Sequence, residues 1–353
     1  MAALPVLNVN VGVLGHVDSG KTSLVRALST SLSTAALDKH PQSMARGITL
    51  DLGFSAFTID LPAHLASLAD RRSALQFTLV DCPGHASLIR TVVGGAQIID
   101  MVLLVIDVTK GIQTQTAECL VIAEVYTDRL IVVLNKTDML PEEGREKKVE
   151  AAAQRVRKAL ASTRFAAAPF VALAAAPGGG GKLGAAAPLP SPAAAGGGGV
   201  AEPGASKSQA GSVADLVALM GSTAEAPVRR SDGPFLFSVD HCFPIKGQGT
   251  VLTGTVLAGR CRVGDVIELA ALRQERKIKS MQMFRRPVDA LYEGDRAGIC
   301  VTNLDAALVE RGLLCAPGSG DEGRGPCAPM QPRLPNIAGP RSPALARSYR
   351  TGA

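Results

Sequence analysis

Four short runs of the sequence combine residue types and spacings that can do phosphate and base chemistry. Gly15-His16-Val17-Asp18-Ser19-Gly20-Lys21-Thr22 fits the pattern GxxxxGK[ST]. Glycines let backbone N–H groups wrap phosphate oxygens, and a following helix N-terminus adds a favourable dipole. Asp18, Ser19, Gly20, Lys21, Thr22 and Ser23 form the expected phosphate-binding run, with Lys21 placing charge on the outer phosphates and Thr22 offering a hydroxyl to Mg²⁺. Alone, this run does not distinguish ATP from GTP. Asp81-Cys82-Pro83-Gly84-His85 supplies a second Mg²⁺-directed carboxylate at Asp81 and a backbone N–H for a terminal phosphate at Gly84. In Asn135-Lys136-Thr137-Asp138, the Asp138 carboxylate can accept both N1–H and the N2 amine of guanine. Adenine lacks that pair of donors, and a site built on such pairing rejects the wrong base strongly. Arg46-Gly47-Ile48-Thr49 adds Thr49 as a further Mg²⁺ ligand. Four such elements in this order imply a GTPase using GTP/GDP and Mg²⁺.

These runs need elements to hold them. Val6–Leu14 is an apolar, β-rich stretch ending at Gly15, and Lys21–Ser29 has helical composition, so the phosphate run sits at a strand–turn–helix junction. Phe77–Val80, Met101–Asp107 and Leu130–Leu134 are nearly continuous in apolar residues. That is the pattern of parallel strands covered on both faces. Helices are expected at Ala86–Ile99, Thr114–Glu124, Glu142–Phe165 and Val213–Met220, with a short strand at Phe170–Leu173. From Pro234 the pattern becomes short strands with Gly turns: Phe235–Asp240, Gly249–Leu257, Asp265–Ala270, Lys277–Met283 and Arg296–Val301, the spacing of a small antiparallel barrel. The fold class expected is an α/β P-loop GTPase domain, its sheet mostly parallel with helices on both faces, followed by that barrel. The expected division is 1–226 for the GTP-binding domain, 227–233 for a linker, 234–317 for the barrel and 318–353 for a tail. Residues 177–212 are almost wholly Gly, Ala, Pro and Ser, and 318–353 are rich in Pro, Gly and Arg. Both compositions predict disorder.

Composition narrows the function classes. The 353 residues carry 37 Lys+Arg against 31 Asp+Glu, a net charge of +6 that permits an anionic partner without naming one. Aromatics make up only 3% and Trp is absent, which argues against a binder that stacks single-stranded bases. Seven Cys, with no CxxC pair, read as reduced thiols of a cytosolic protein. No run approaches the ~20 apolar residues of a spanning helix, and no basic residue precedes Lys21 as a signal peptide requires. The expectation is a cytoplasmic monomer, with a nuclear pool allowed and no membrane partner.

The motifs resemble those of the elongation factor Tu superfamily of translational GTPases, and more closely its selenocysteine-specific branch in eukaryotes. Arg46-Gly47-Ile48-Thr49-Leu50-Asp51-Leu52-Gly53-Phe54 is similar to that branch, as are Pro83–Thr91, Gly94–Asp100, Ser238–Phe243 and Ile245–Val251. The resemblance covers residues 6–317 apart from 60–76 and 177–212. It implies a GTP form that carries selenocysteinyl-tRNA to a ribosome paused at a recoded UGA, with further contact to the machinery that reads the selenocysteine insertion element. It implies His85 as the residue orienting the attacking water, Val17 and Ile48 as an apolar gate, and Asp240, His241 and Arg296 as the aminoacyl pocket. Arg285 and Arg286 could meet tRNA phosphate or simply form a solvated turn. Three departures stand out, one of them a Gly/Ala/Pro loop at 177–212 that is longer and simpler than the family pattern implies. Ala176 occupies a base-contacting position where the family often has Lys. The resemblance also stops near Pro317, where the family continues with a second barrel and a C-terminal domain. The chain therefore reads either as a C-terminally truncated tRNA-delivering factor or as a guanine-nucleotide-binding isoform or fragment without delivery. A signalling switch is disfavoured by the barrel, and an ATP enzyme by Asp138.

Overall fold

The structure is a computed structural model describing residues 6–29, 31–32, 53–69, 72–82, 99–176, 211–229, 232–245, 247–309 and 312–318. The expected helix from Ala86 lies outside these residues up to position 98, and so do residues 177–210 and 319–353 of the two low-complexity stretches.

The first sheet is built from β1 (Leu7–Leu14), β2 (Ser31–Leu32), β3 (Gly53–Ile59), β4 (Leu75–Asp81), β5 (Met101–Asp107), β6 (Leu130–Asn135) and β7 (Phe170–Ala172). Their order is β2-β3-β4-β1-β5-β6-β7. The five strands β4, β1, β5, β6 and β7 run parallel, while β2 and β3 form an antiparallel edge. The edge strand β3 was not among the sequence expectations. Its run Gly-Phe-Ser-Ala-Phe-Thr-Ile is interrupted by Ser55, which is nevertheless fully buried and accepts a hydrogen bond from the Ser29 hydroxyl at 2.6 Å.

Helices α1 (Lys21–Leu28), α2 (Thr114–Tyr126), α3 (Arg145–Leu160) and α4 (Val213–Thr223) cover the sheet. Leu24, Val25, Leu28, Leu216 and Met220 join the core on one face, and Cys119, Ala123, Val149, Val156 and Leu160 the core on the other. In α3 the buried positions Val149, Ala152, Ala153, Val156 and Leu160 follow helical spacing. The helix is shorter than the expected Glu142–Phe165: Gly144, with φ +73°, starts it, and Ala161 ends it. Ser212 caps α4, its hydroxyl accepting from Asp215 N while Ser212 N donates back to the Asp215 carboxylate.

The second unit contains β8 (Leu236–Ile245), β9 (Gly249–Ala258), β10 (Arg260–Arg262), β11 (Val266–Leu269), β12 (Gln274–Met283), β13 (Arg286–Val288), β14 (Ala290–Tyr292), β15 (Arg296–Val301) and β16 (Gly312–Cys315). Among these, β11-β16-β8-β9-β15-β12 close on themselves through the β11–β12 pairing, giving a six-stranded antiparallel barrel with β13 extending β12. Phe237, Leu252, Ile267, Ile278, Met281, Ile299 and Leu314 fill it. Met281 is therefore a packing residue, as its strand spacing suggests. The barrel's β14–β15 turn rests on the first sheet. Both the Asn8 and Asn10 amides donate to Gly294 O, at 3.0 and 2.9 Å.

Candidate functional site

The phosphate run lies at the C-terminal end of β1, between β4 and β5, where strand order reverses and parallel sheets bind ligands. Its two glycines are required by close approach. A Cβ at Gly15 would lie 2.2 Å from Val105 O, and one at Gly20, where φ is +89°, would lie 2.3 Å from Asn135 Nδ2. Asp18 also holds a positive φ of 62°. Val17, the gate candidate, is pinned by a hydrogen bond from its N–H to Gln115 Oε1 of α2 at 3.1 Å.

Lys21 is only 6% exposed, and its Nζ donates to Gly15 O and His16 O at 3.0 and 2.9 Å. Burial lowers its pKa, with Asp81 opposing. The Thr22 hydroxyl donates to Asp81 Oδ2 at 2.6 Å, so strand β4 delivers the expected carboxylate beside the expected hydroxyl. These are hard oxygen donors of the kind Mg²⁺ takes, and they flank the buried lysine. The Ser19 hydroxyl and His16 Nδ1, both buried, have no hydrogen-bond partner among the described residues. Buried polar groups without partners mark a place where a ligand completes the bonding. Ser23 is half-buried on the first turn of α1. The chemistry of this donor set fits a nucleotide phosphate with Mg²⁺.

On the base side, Asn135 Nδ2 donates to Ser19 O at 2.9 Å, and its Oδ1 accepts from Ala175 N at 3.0 Å. Asn135 thus ties the phosphate loop to the 174–176 loop. Lys136, at φ +65°, pairs with Asp107 at 2.9 Å. Burial pushes the Asp107 carboxyl up, but hydrogen bonds from Thr109 and Lys136 outweigh it and hold it below the usual carboxylate range. Asp138 is half-buried in the 3-10 turn Thr137–Met139, and Ala176 is exposed. Thr49, Ile48, Gly84 and His85 lie outside the described residues.

The barrel brings its three candidates together. Arg296 is 5% exposed and pairs with Asp240; it also donates to the Thr255 hydroxyl. Asp240 Oδ1 accepts from the Thr253 hydroxyl at 2.9 Å, and His241 Nδ1 lies 3.3 Å from the same oxygen. Burial pushes the Asp240 carboxyl up, yet Arg296 and His241 hold it below its ordinary value. The Arg296 guanidinium lies 3.5 Å from the ring centroid of Phe54 on β3, a cation–π contact between the two units. Arg296 lines a cavity of about 70 Å³ with Phe243, Thr253, Gln282 and Arg285. Asp240 and His241 do not line it; Asp240 touches it through Arg296 and Thr253. Sequence reasoning missed Gln115, Asp107 and Phe54. Asp107 had a signal, since like Asp81 it ends an apolar strand. The other two had none.

The family model "Elongation factor Tu GTP binding domain" matches residues 7–244, and "Elongation factor Tu domain 2" matches 249–313. The chain belongs to the elongation factor Tu family of GTP-binding proteins. It is similar to the selenocysteine-specific elongation factor of Mus musculus, 53% identical over 314 residues that cover 89% of this chain and 50% of that protein. It is 33% identical over 314 residues to the selenocysteine-specific elongation factor of Methanocaldococcus jannaschii, covering 88% and 57%. Among solved structures it matches translation elongation factor SelB from Methanococcus maripaludis in complex with the GTP analogue GppNHp, with TM-score 0.63 and 28% identity over 89% of this chain and 56% of that one. The chain spans about half the length of the curated relatives it matches.

Proposed function

We propose that this chain is a translational GTPase that binds selenocysteinyl-tRNA in its GTP form, for delivery to the ribosome at recoded UGA codons. Lys21 and the N–H groups of Asp18–Thr22 bind the phosphates, and Asp138 with the 174–176 loop selects guanine. Thr22, Thr49 and Asp81 would hold Mg²⁺, whose charge would offset that of the outer phosphates. Gly84 closes on the γ-phosphate. His85 orients water for attack on the γ-phosphorus, so that the bond to the β–γ bridging oxygen breaks and GDP and phosphate leave. Val17 and Ile48 keep His85 away until decoding. The cytoplasm is the compartment of this activity, and contact with the insertion-element machinery belongs to the same reading.

The observation that carries it is the buried Arg296, paired with Asp240 and lining a cavity beside Phe54 of the GTP-binding unit. A selenol ionises near neutral pH and a serine hydroxyl does not, so a charged, largely dehydrated arginine separates the two side chains. The test is protection of the aminoacyl ester against hydrolysis, with selenocysteinyl- and seryl-tRNA of one species and GTP or GDP. GTP-dependent protection of the selenocysteinyl form alone is expected. Absence of protection, with guanine nucleotide bound, overturns the tRNA assignment and leaves a guanine-nucleotide-binding fragment or isoform. His85→Ala is expected to keep GTP affinity and lose ribosome-stimulated hydrolysis; unchanged stimulated turnover removes His85 from the role.

A further inference from the structure

A band of polar side chains crosses the sheet face where the barrel sits. Parallel strands covered on both faces are ordinarily apolar throughout. Here Asn8, Asn10, Gln76 and Thr78 are buried on adjacent strands β1 and β4. The Thr78 hydroxyl and the Gln76 amide donate to Asn8 Oδ1 at 2.7 and 3.4 Å, and Asn8 Nδ2 donates to Asn10 Oδ1 at 3.2 Å. The chain of bonds ends on a barrel carbonyl, Gly294 O, which takes both asparagine amides.

The segment joining the two units is fastened to the same place. His64 Nε2 bonds Ala224 O at 2.7 Å, and Arg129 pairs with Glu225. Arg229 then grips Asp100 with two nitrogens, at 2.9 and 2.5 Å, while Asp100 Oδ2 also accepts Asn10 N at 2.8 Å. The Arg229 guanidinium lies against Gly294 so closely that a Cβ there would sit 2.5 Å from its Cζ, and Gly294 has φ +87°. Three contacts within residues 224–229 tie this stretch to the first unit.

Gly294 is two residues before Arg296. We propose that Arg229 is a positioning residue: bridging Asp100 and the Gly294 turn, it fixes where β15 starts and so holds Arg296 between Phe54 and Asp240. This rests on the reading of Arg296 as an aminoacyl-pocket residue, and it adds a group outside the pocket on which the pocket's selectivity depends. Arg296 is closed in by two units, Phe54 from the sheet and Asp240 from the barrel. Its position therefore depends on how the units are set against each other, and two residues away they are set by the asparagine bonds to Gly294 O and by the Arg229 guanidinium packed on Gly294. A bidentate arginine–carboxylate pair that is mostly buried fixes direction as well as distance. Loss of one partner leaves the other charge buried and unpaired.

The experiment uses the full chain with Arg229→Ala, Arg229→Lys and the exchanged pair Asp100→Arg with Arg229→Asp. Spin labels are introduced as non-natural amino acids at exposed Lys158 of α3 and Lys279 of β12. Pulsed electron resonance then reads the distance between the units, a fluorescent GDP reads the nucleotide site, and ester protection reads selectivity. Arg229→Ala is expected to broaden the distance distribution, keep GDP affinity within about twofold, and reduce the preference for selenocysteinyl- over seryl-tRNA about tenfold. Arg229→Lys, which keeps charge without the planar fork, is expected to fall between. The exchanged pair is expected to recover part of both losses. A distribution as narrow in Arg229→Ala as in the parent overturns the proposal, and so does a broadened one with selectivity unchanged. If the parent protects neither tRNA, the functional reading fails, while the distance distributions still decide whether Arg229 sets the units.

Discussion

Asn135 uses both ends of its side-chain amide within the protein, on Ser19 O and Ala175 N. In the proposed site the base meets Asp138 and the 174–176 loop that Asn135 anchors, where Ala176 offers only a methyl group. A lysine there would lay an apolar stem along the base while its ammonium reached solvent. Ala176→Lys is expected to raise GDP affinity about three- to tenfold, the equivalent of roughly 1 kcal/mol. Titration with a fluorescent GDP measures it, and equal affinity in the two proteins means that position 176 does not face the base. At this scale the sequence was most readable where fixed spacing and chemistry coincide: the structure brings Lys21, Thr22, Asp81 and Asn135, from three separate motifs, around one loop. Gln115 was not readable, because it holds the Val17 N–H from a helix nearly a hundred residues away. Phe54 was hidden for a similar reason, since its partner Arg296 lies in the other unit.

The long strands were legible because burial on both faces leaves an unbroken apolar run. Met101–Asp107 was bounded correctly from that run alone. The three- and four-residue strands β10, β13, β14 and β16 hold too few alternations to show a period, so composition could not reveal them. Strand β9 carries a constraint that no periodicity expresses. At Gly254 an added Cβ would meet Ser238 O at 2.0 Å and the Phe237 ring at 2.6 Å, so backbone and a core ring both stand in its place. Gly254→Ala must spread β8 from β9. We expect it to destabilise the barrel by about 3 kcal/mol, read as a lower urea midpoint of the barrel transition. An unchanged midpoint contradicts so close an approach of the two strands.

At the scale of the whole molecule, the junction between the units stores a pH dependence. Burial raises the Asp295 carboxyl from 3.8 to about 6, against the hydrogen bond from Tyr292 N and the charges of Arg229 and Arg72. The folded state thus binds this proton more tightly than the unfolded chain. The contribution favours folding at low pH, is lost as pH rises from about 4 through 6, and amounts to roughly 3 kcal/mol at most. Asp295→Asn is therefore expected to raise the melting temperature at pH 7.5 and to change it little at pH 4. A gap of equal size at both pH values excludes Asp295 as its source. The bond between Asn8 and Gly294 also spans 286 residues of chain. During synthesis at roughly 5–20 residues per second, the β1 amides precede their carbonyl by on the order of 15–60 s. Through that interval the Asn8 and Asn10 amides lack this acceptor and turn to water. The half-made chain then turns an amide-lined patch to its surroundings where an apolar one would be a site for aggregation, so the same side chains that later join the two units keep that patch wettable beforehand.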